Sequence, residues 1–133
     1  MPENFISAYA RRIAERDNPS PPLLSGEPAA VQARLEDWLL TAHKVRDKRG
    51  RFRLARMLLA LMQHPERTTG ELAEAAGLPA RAAARMAVRL GAVLDLTTWD
   101  YRGLYRYHRL GRAAEDALLL VVAGPPAPAP PPL

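Results

Sequence analysis

The sequence predicts a mainly α-helical protein that carries one small β-hairpin, with a helical arm before it and a proline-rich tail after it. Two observations predict this class. Apolar residues recur at helical spacing through most of residues 3–90 and again over 112–122, and only between 93 and 110 do strand-forming residues flank a turn. Prolines at 19, 21 and 22, and again between 125 and 132, interrupt the helical pattern on both sides. The chain therefore divides into an arm and linker over 1–27, a domain over 28–123 and a tail over 124–133.

Residues 3–16, ENFISAYARRIAER, place Phe5, Ile6, Tyr9 and Ile13 on one helical stripe with charges opposite. The following DNPSPPLLSGE cannot continue a helix and forms a linker. So short a helix is marginal alone in water, so either the main body or a second copy of the chain must cover its apolar stripe. The expectation is an arm used in homodimerisation, together with the helices that flank it.

A longer helix is expected from Pro28, tolerated in a first turn, to about Lys48, with Val31, Leu35, Trp38, Ala42 and Val45 on one stripe and Gly50 as its stop. RFRLARMLLALMQHP then places Phe52, Ala55, Leu58, Leu59 and Met62 on the core face of a helix that Pro65 ends. Across this junction lie Lys44, Arg46, Lys48, Arg49, Arg51, Arg53 and Arg56, with Asp47 the one acid among them. Two readings stand: cations that suit the dipole at a helix C-terminus, or contacts to phosphate, for which Arg49, Arg51 and Arg53 are the candidates.

In TTGELAEAAGLPARAAARMAVRLGAV, residues 68–93, Thr68 and Glu71 fit a capping box at the start of a helix. Leu72, Ala73 and Ala76 form its inner face, and Gly77 supplies a left-handed turn. Pro79 sets the start of a next helix running to about Leu90. At roughly 100° per residue, Ala83, Met86 and Leu90 share one side, and Arg81, Arg85 and Arg89 face out. Val93, Leu94 and Leu96 with Thr97 and Thr98 read as a strand, Asp100-Tyr101-Arg102-Gly103 as a turn, and Leu104–Leu110 as the returning strand. Gly111 opens a last helix, RAAEDALLLVV.

Ala73, Gly77, Leu72, Ala76, Leu78, Ala83 and Met86 match the pattern of small, turn and apolar positions by which this stretch resembles the helix-turn-helix of bacterial DNA-binding regulators. Helices followed by a hairpin and a further helix resemble a winged helix-turn-helix domain, and YHRLGRAAEDALLL is similar to the second wing strand and following helix of MarR-like transcription regulators. The resemblance spans residues 50–122. It departs from that family in an alanine-rich second helix and in the N-terminal arm. It implies double-stranded DNA as partner, with Arg81 and Arg85 on base edges in the major groove. It also implies phosphate or groove contacts from Thr68, Thr69, Arg89, Arg102 and Arg106. For Tyr105 and Tyr107, hairpin packing is the expectation.

Charge agrees with a polyanionic partner: 19 basic residues, all but Lys44 and Lys48 arginine, stand against 14 acids, a formal net charge of +5. Codon bias in a GC-rich genome explains the arginine excess equally well. The chain contains no cysteine, which excludes disulfides and Cys-ligated zinc. His43, His64 and His108 are scattered, so neither metal nor cofactor is expected. Asp95, Asp100, Glu115 and Asp116 form no acid pair and there is no glycine-rich phosphate loop or nucleophile motif, so no catalytic residue is assigned. Charges interrupt the apolar run at the N-terminus, so a cytoplasmic protein without a membrane partner is expected. The alternative is a winged helix that binds protein within a transcription, replication or segregation assembly, for which the alanine-rich helix is suited and the tail GPPAPAPPPL a candidate ligand.

Overall fold

A computed structural model describes residues 8–13 and 28–123; Phe5, Ile6, the linker and the tail lie outside the described residues. The order is α1 (8–13), α2 (Pro28–Thr41), α3 (Lys48–Gln63), β1 (Arg67–Thr68), α4 (Thr69–Ala76), α5 (Ala80–Val88), β2 (Thr97–Arg102), β3 (Tyr105–Leu110) and α6 (Arg112–Ala123). The described chain is thus mainly helical with a small antiparallel sheet in the order β1-β3-β2.

The core is organised around α3. Its first turns are polar, but Leu54, Ala55 and every residue from Met57 to Met62 are buried, because α2, α4, α5 and the sheet pack on it from different sides. A helix apolar on all sides is stable only when so enclosed. Phe52, expected in the core, is 45% exposed and lies beneath the Arg56 guanidinium. It sits one turn before the point where neighbours close around the helix.

α2 ends at Thr41, earlier than its apolar periodicity suggests. Lys44 adopts a left-handed φ of 55°, and the Val45 amide bonds back to Leu39 O, folding Val45 into the core. Leu39, off the expected stripe, is fully buried, whereas Ala42 is exposed. Gly50 stops nothing: it lies buried in the first turn of α3, and its missing side chain leaves room for the Asp47 carboxylate and the Arg89 guanidinium.

The capping box forms as expected: Thr68 Oγ1 accepts from the Glu71 amide at 3.2 Å, and Glu71 Oε1 accepts from the Thr68 amide at 2.8 Å. Gly77 closes α4 at φ 67° and ψ 37°, where its amide and that of Leu78 satisfy the last carbonyls. α5 passes directly into a π-helical turn, Arg89–Val93, so Val93 and Leu94 precede the strand instead of starting it. Asp95, at φ 55°, reverses the chain into β2. The hairpin turn is likewise two residues later than expected: Arg102 pairs Tyr105, and Gly103 at φ 64° leads a two-residue turn with Leu104. β1, which pairs Arg67 with His108 and Thr68 with Tyr107, was too short to carry a sequence signal.

α1 docks on its own chain. Tyr9 and Ile13 are buried in the common core, the Tyr9 hydroxyl donates to Glu115 O at 2.7 Å, and Arg12 donates to the Leu61 and Met62 carbonyls that end α3. The described part of the stripe is therefore covered by the main body, which removes the reason for expecting it to recruit a second copy.

Because Leu58 is enclosed and Phe52 is not, Leu58→Ala should cost about 3 kcal/mol in urea unfolding, and Phe52→Ala less than about 1 kcal/mol.

Candidate nucleic-acid interface

The charged surface resolves into three classes of arginine according to what each guanidinium touches. The first class donates to main-chain carbonyls: Arg12, Arg34, Arg56 and Arg67 to carbonyls left open at helix ends, and Arg51 to the connection between α2 and α3. Arg51, expected on phosphate, bonds Val45 O at 3.1 Å and Arg46 O at 2.8 Å, holding the α2–α3 connection. That role replaces the expected one.

The second class pairs with carboxylates. Arg89 grips Asp47 through both terminal nitrogens, at 3.1 and 2.8 Å, tying the end of α5 to the start of α3. The bond from Arg89 holds the Asp47 carboxyl below its ordinary pKa, and the same bond raises that of Arg89. Arg102, expected to reach a minor groove, donates to Glu66, lies near Asp100 Oδ2 at 3.4 Å and rests over the Tyr107 ring. Arg109 bonds Asp100 Oδ1 at 2.7 Å. Arg89 and Arg102 are thus committed before any ligand arrives, because an acid distant in sequence faces each of them.

The third class makes no ion pair with a described residue: Arg46, Arg49, Arg53, Arg81 and Arg85. Arg81 and Arg85 stand exposed on the outer face of α5, whose inner face, Ala82, Ala83 and Ala87, is buried against α3 and α4. Alanine on that inner face allows close packing, and the left-handed turn at Gly77 sets the angle at which α5 leaves α4. The Arg89–Asp47 pair brings the end of α5 next to the N-terminus of α3, where Lys48 and Arg49 are exposed. They lie in the first turn of α3, where the helix dipole disfavours cations, so a favourable helix-dipole interaction does not account for these two.

Thr68 and Thr69, expected at a phosphate, are occupied. The Thr68 hydroxyl caps α4, and Thr69 Oγ1 bonds His108 Nε2 at 2.8 Å. Glu71, whose pKa is lowered chiefly by the Thr68 amide, places a carboxylate where a phosphate would otherwise bind. His108 was not singled out from sequence. It is 1% exposed, its Nδ1 has no partner, and it joins β3 to the first turn of α4.

On the hairpin, Arg106 Nη2 donates to Tyr101 Oη at 2.7 Å and its guanidinium lies 4.2 Å over Trp99. Tyr107 is partly buried beneath Arg102 in keeping with hairpin packing, while Tyr105 is exposed. Among the described residues no cluster of His, Asp and Glu can hold a metal ion, and no helix is long and apolar enough to cross a membrane. Compared with family models, curated proteins and solved structures, the chain matches none.

Burial lowers the His108 pKa below its ordinary 6.5, with a smaller contribution from the Arg106 charge. The unfolded chain therefore takes up a proton on this residue that the folded chain refuses, so stability is full above about pH 6.5 and falls as pH drops below it. Asp47, Glu66 and Glu71 have lowered values, so their contributions persist until pH approaches the carboxylate range. Between about pH 5 and 7, wild type should lose stability relative to His108→Gln as pH falls, measured as the difference in urea midpoint. His43, also held low by burial, is common to both proteins.

Proposed function

We propose that the chain is a winged helix-turn-helix protein that binds double-stranded DNA and regulates transcription, with α5 in the major groove and the β2–β3 hairpin as the wing. The order α2-α3-β1-α4-α5-β2-β3-α6, with β3 between β1 and β2, supports that architecture. The observation that carries the reading is the separation of the arginines. Among the described residues, Arg81 and Arg85 are left without a counter-charge on an exposed helix face, beside the likewise unpaired Lys48 and Arg49, whereas Arg89 and Arg102 are paired with acids and Arg51 holds the α2–α3 connection.

Each free guanidinium on α5 has the fork geometry for guanine O6 and N7. Ala80 and Ala84, exposed beside them, permit close approach of the helix backbone to base edges and thymine methyls. Lys48, Arg49 and Arg53 supply the phosphate contacts next to the end of α5, with Arg46 beside them. Arg106 is the wing cation still available to the backbone.

The rival reading, a protein-interaction module, draws on exposed Val88 and Val93 at the end of α5. Salt separates the two, because each phosphate contact releases counterions whereas apolar docking does not. In fluorescence-anisotropy titrations against mixed-sequence duplex, affinity should fall steeply between low and moderate salt. Arg81→Ala with Arg85→Ala should weaken binding by about a hundredfold and flatten the salt slope. Arg102→Ala, which removes an arginine already paired, should change affinity by less than about threefold. Equal binding by the double variant and wild type would remove α5 as the reading helix.

A further inference from the structure

The two faces of the hairpin carry different chemistry. Pairing of Trp99 with His108 and of Tyr101 with Arg106 puts these four on one face, and pairing of Asp100 with Tyr107 and of Arg102 with Tyr105 puts those on the other. Both nearby acids, Asp100 and Glu66, are engaged with Arg102 and Arg109, which belong to the second face. On the first face His108 is buried, but Trp99 and Tyr101 are 46% and 59% exposed.

Three groups on this face hold one another. The Trp99 and Tyr101 rings meet edge-to-face with centroids 5.4 Å apart. The Arg106 guanidinium lies over both, 4.2 and 5.2 Å from their centroids, and bonds the Tyr101 hydroxyl. No carboxylate pairs with Arg106 among the described residues. At the tip Leu104 is 93% exposed, following Gly103 in a turn that projects into open space. Neither fold nor core uses this leucine.

We propose that the hairpin binds unpaired bases in DNA: Leu104 enters the base stack as a wedge, and the shelf of Trp99, Tyr101 and Arg106 receives the displaced base. The proposal rests on the nucleic-acid reading above, but on different residues. Within a duplex each base is covered by its neighbours, so a flat aromatic and guanidinium surface can be used only by a base that is unpaired or unstacked. Apolar side chains inserted between base steps supply that unstacking in proteins that bend DNA. An uncompensated cation resting on the indole suits a base that trails a phosphate backbone, and the acids that would repel the backbone lie on the opposite face. A protein partner docking through apolar contact has no use for the unpaired charge.

The test compares three labelled probes in anisotropy titrations with the full chain: a perfect duplex, the same duplex with a short internal loop of unpaired thymines, and oligothymidylate. The looped duplex should bind about tenfold tighter than the perfect one. Trp99→Ala and Leu104→Ser should each bring that preference below about twofold while perfect-duplex affinity falls by no more than about threefold, and Leu104→Ser, at the fully exposed tip, should leave Tm unchanged. A wild type without preference, or a preference that survives both variants, overturns the proposal. A change in sedimenting mass in these variants with DNA affinities unchanged overturns it in favour of a protein contact. If Arg81→Ala with Arg85→Ala abolishes duplex binding but spares a Trp99-dependent affinity for oligothymidylate, the two sites are separate and the shelf stands. Oligothymidylate binding without any duplex binding by wild type retains the shelf and defeats the α5 reading; binding of none of the probes defeats both.

Discussion

The short segment from Glu66 to Thr69 is the constraint on which the arrangement of this surface depends. Four successive residues each connect to a different part of the molecule. Glu66 receives Arg102 from the hairpin, Arg67 closes the carbonyl of Ala60 in α3, Thr68 caps α4, and Thr69 bonds the buried imidazole of His108. Two of them also pair with β3. The hairpin is thereby anchored to the helical core and to the start of α4 at one place, so its angle relative to α5 is set by bonds made outside the hairpin itself. An isolated two-stranded hairpin has marginal stability in water. The third strand and the ion pair at its base hold this one in position.

Arginine does three kinds of work here, and only one of them points to a partner. Guanidinium groups satisfy main-chain carbonyls at the ends of α3, α4 and α6, where the helical ladder leaves acceptors open, and in the connection after α2. Others neutralise acids across long sequence distances, such as Arg89 with Asp47. The net charge of +5 is what remains once the acids are counted, and does not by itself say which surface carries it. Among the described residues, unpaired cations lie on the outer face of α5 and around the first turn of α3, which the Arg89–Asp47 bond brings together, and Arg106 lies on the hairpin. Placing lysine and arginine at a helix N-terminus costs stability, a cost that a phosphate would offset under the proposed function.

Local features were legible from the chain alone. The capping box at Thr68 and Glu71 and the left-handed Gly77 depend on residues a few positions apart, so their types and spacing settle them. The outward face of Arg81 and Arg85 followed from helical period in the same way. Misread features involve partners far along the chain. Gly50 looked like a stop signal because glycine usually is one, yet it accommodates a side chain from residue 89. Arg102 looked free because Glu66 is far from it in sequence. Phe52 looked buried because periodicity gives a face but not how far along the helix its neighbours extend.

By itself, then, the amino-acid sequence determined the helical class of the protein, the presence of a hairpin before the last helix, the cap and turn of α4, and the outward face of Arg81 and Arg85 on α5. These follow from backbone conformational preference and short-range hydrogen bonding, which act over a turn or two of chain. Tertiary structure decided that α1 is covered by its own chain and that β1 completes the sheet. It decided which cations are spent and which are free, and that an aromatic shelf stands clear of the core. Those outcomes depend on which distant residues meet when α3 is buried, and a guanidinium is a ligand site or a structural tie according to whether an acid or carbonyl reaches it first.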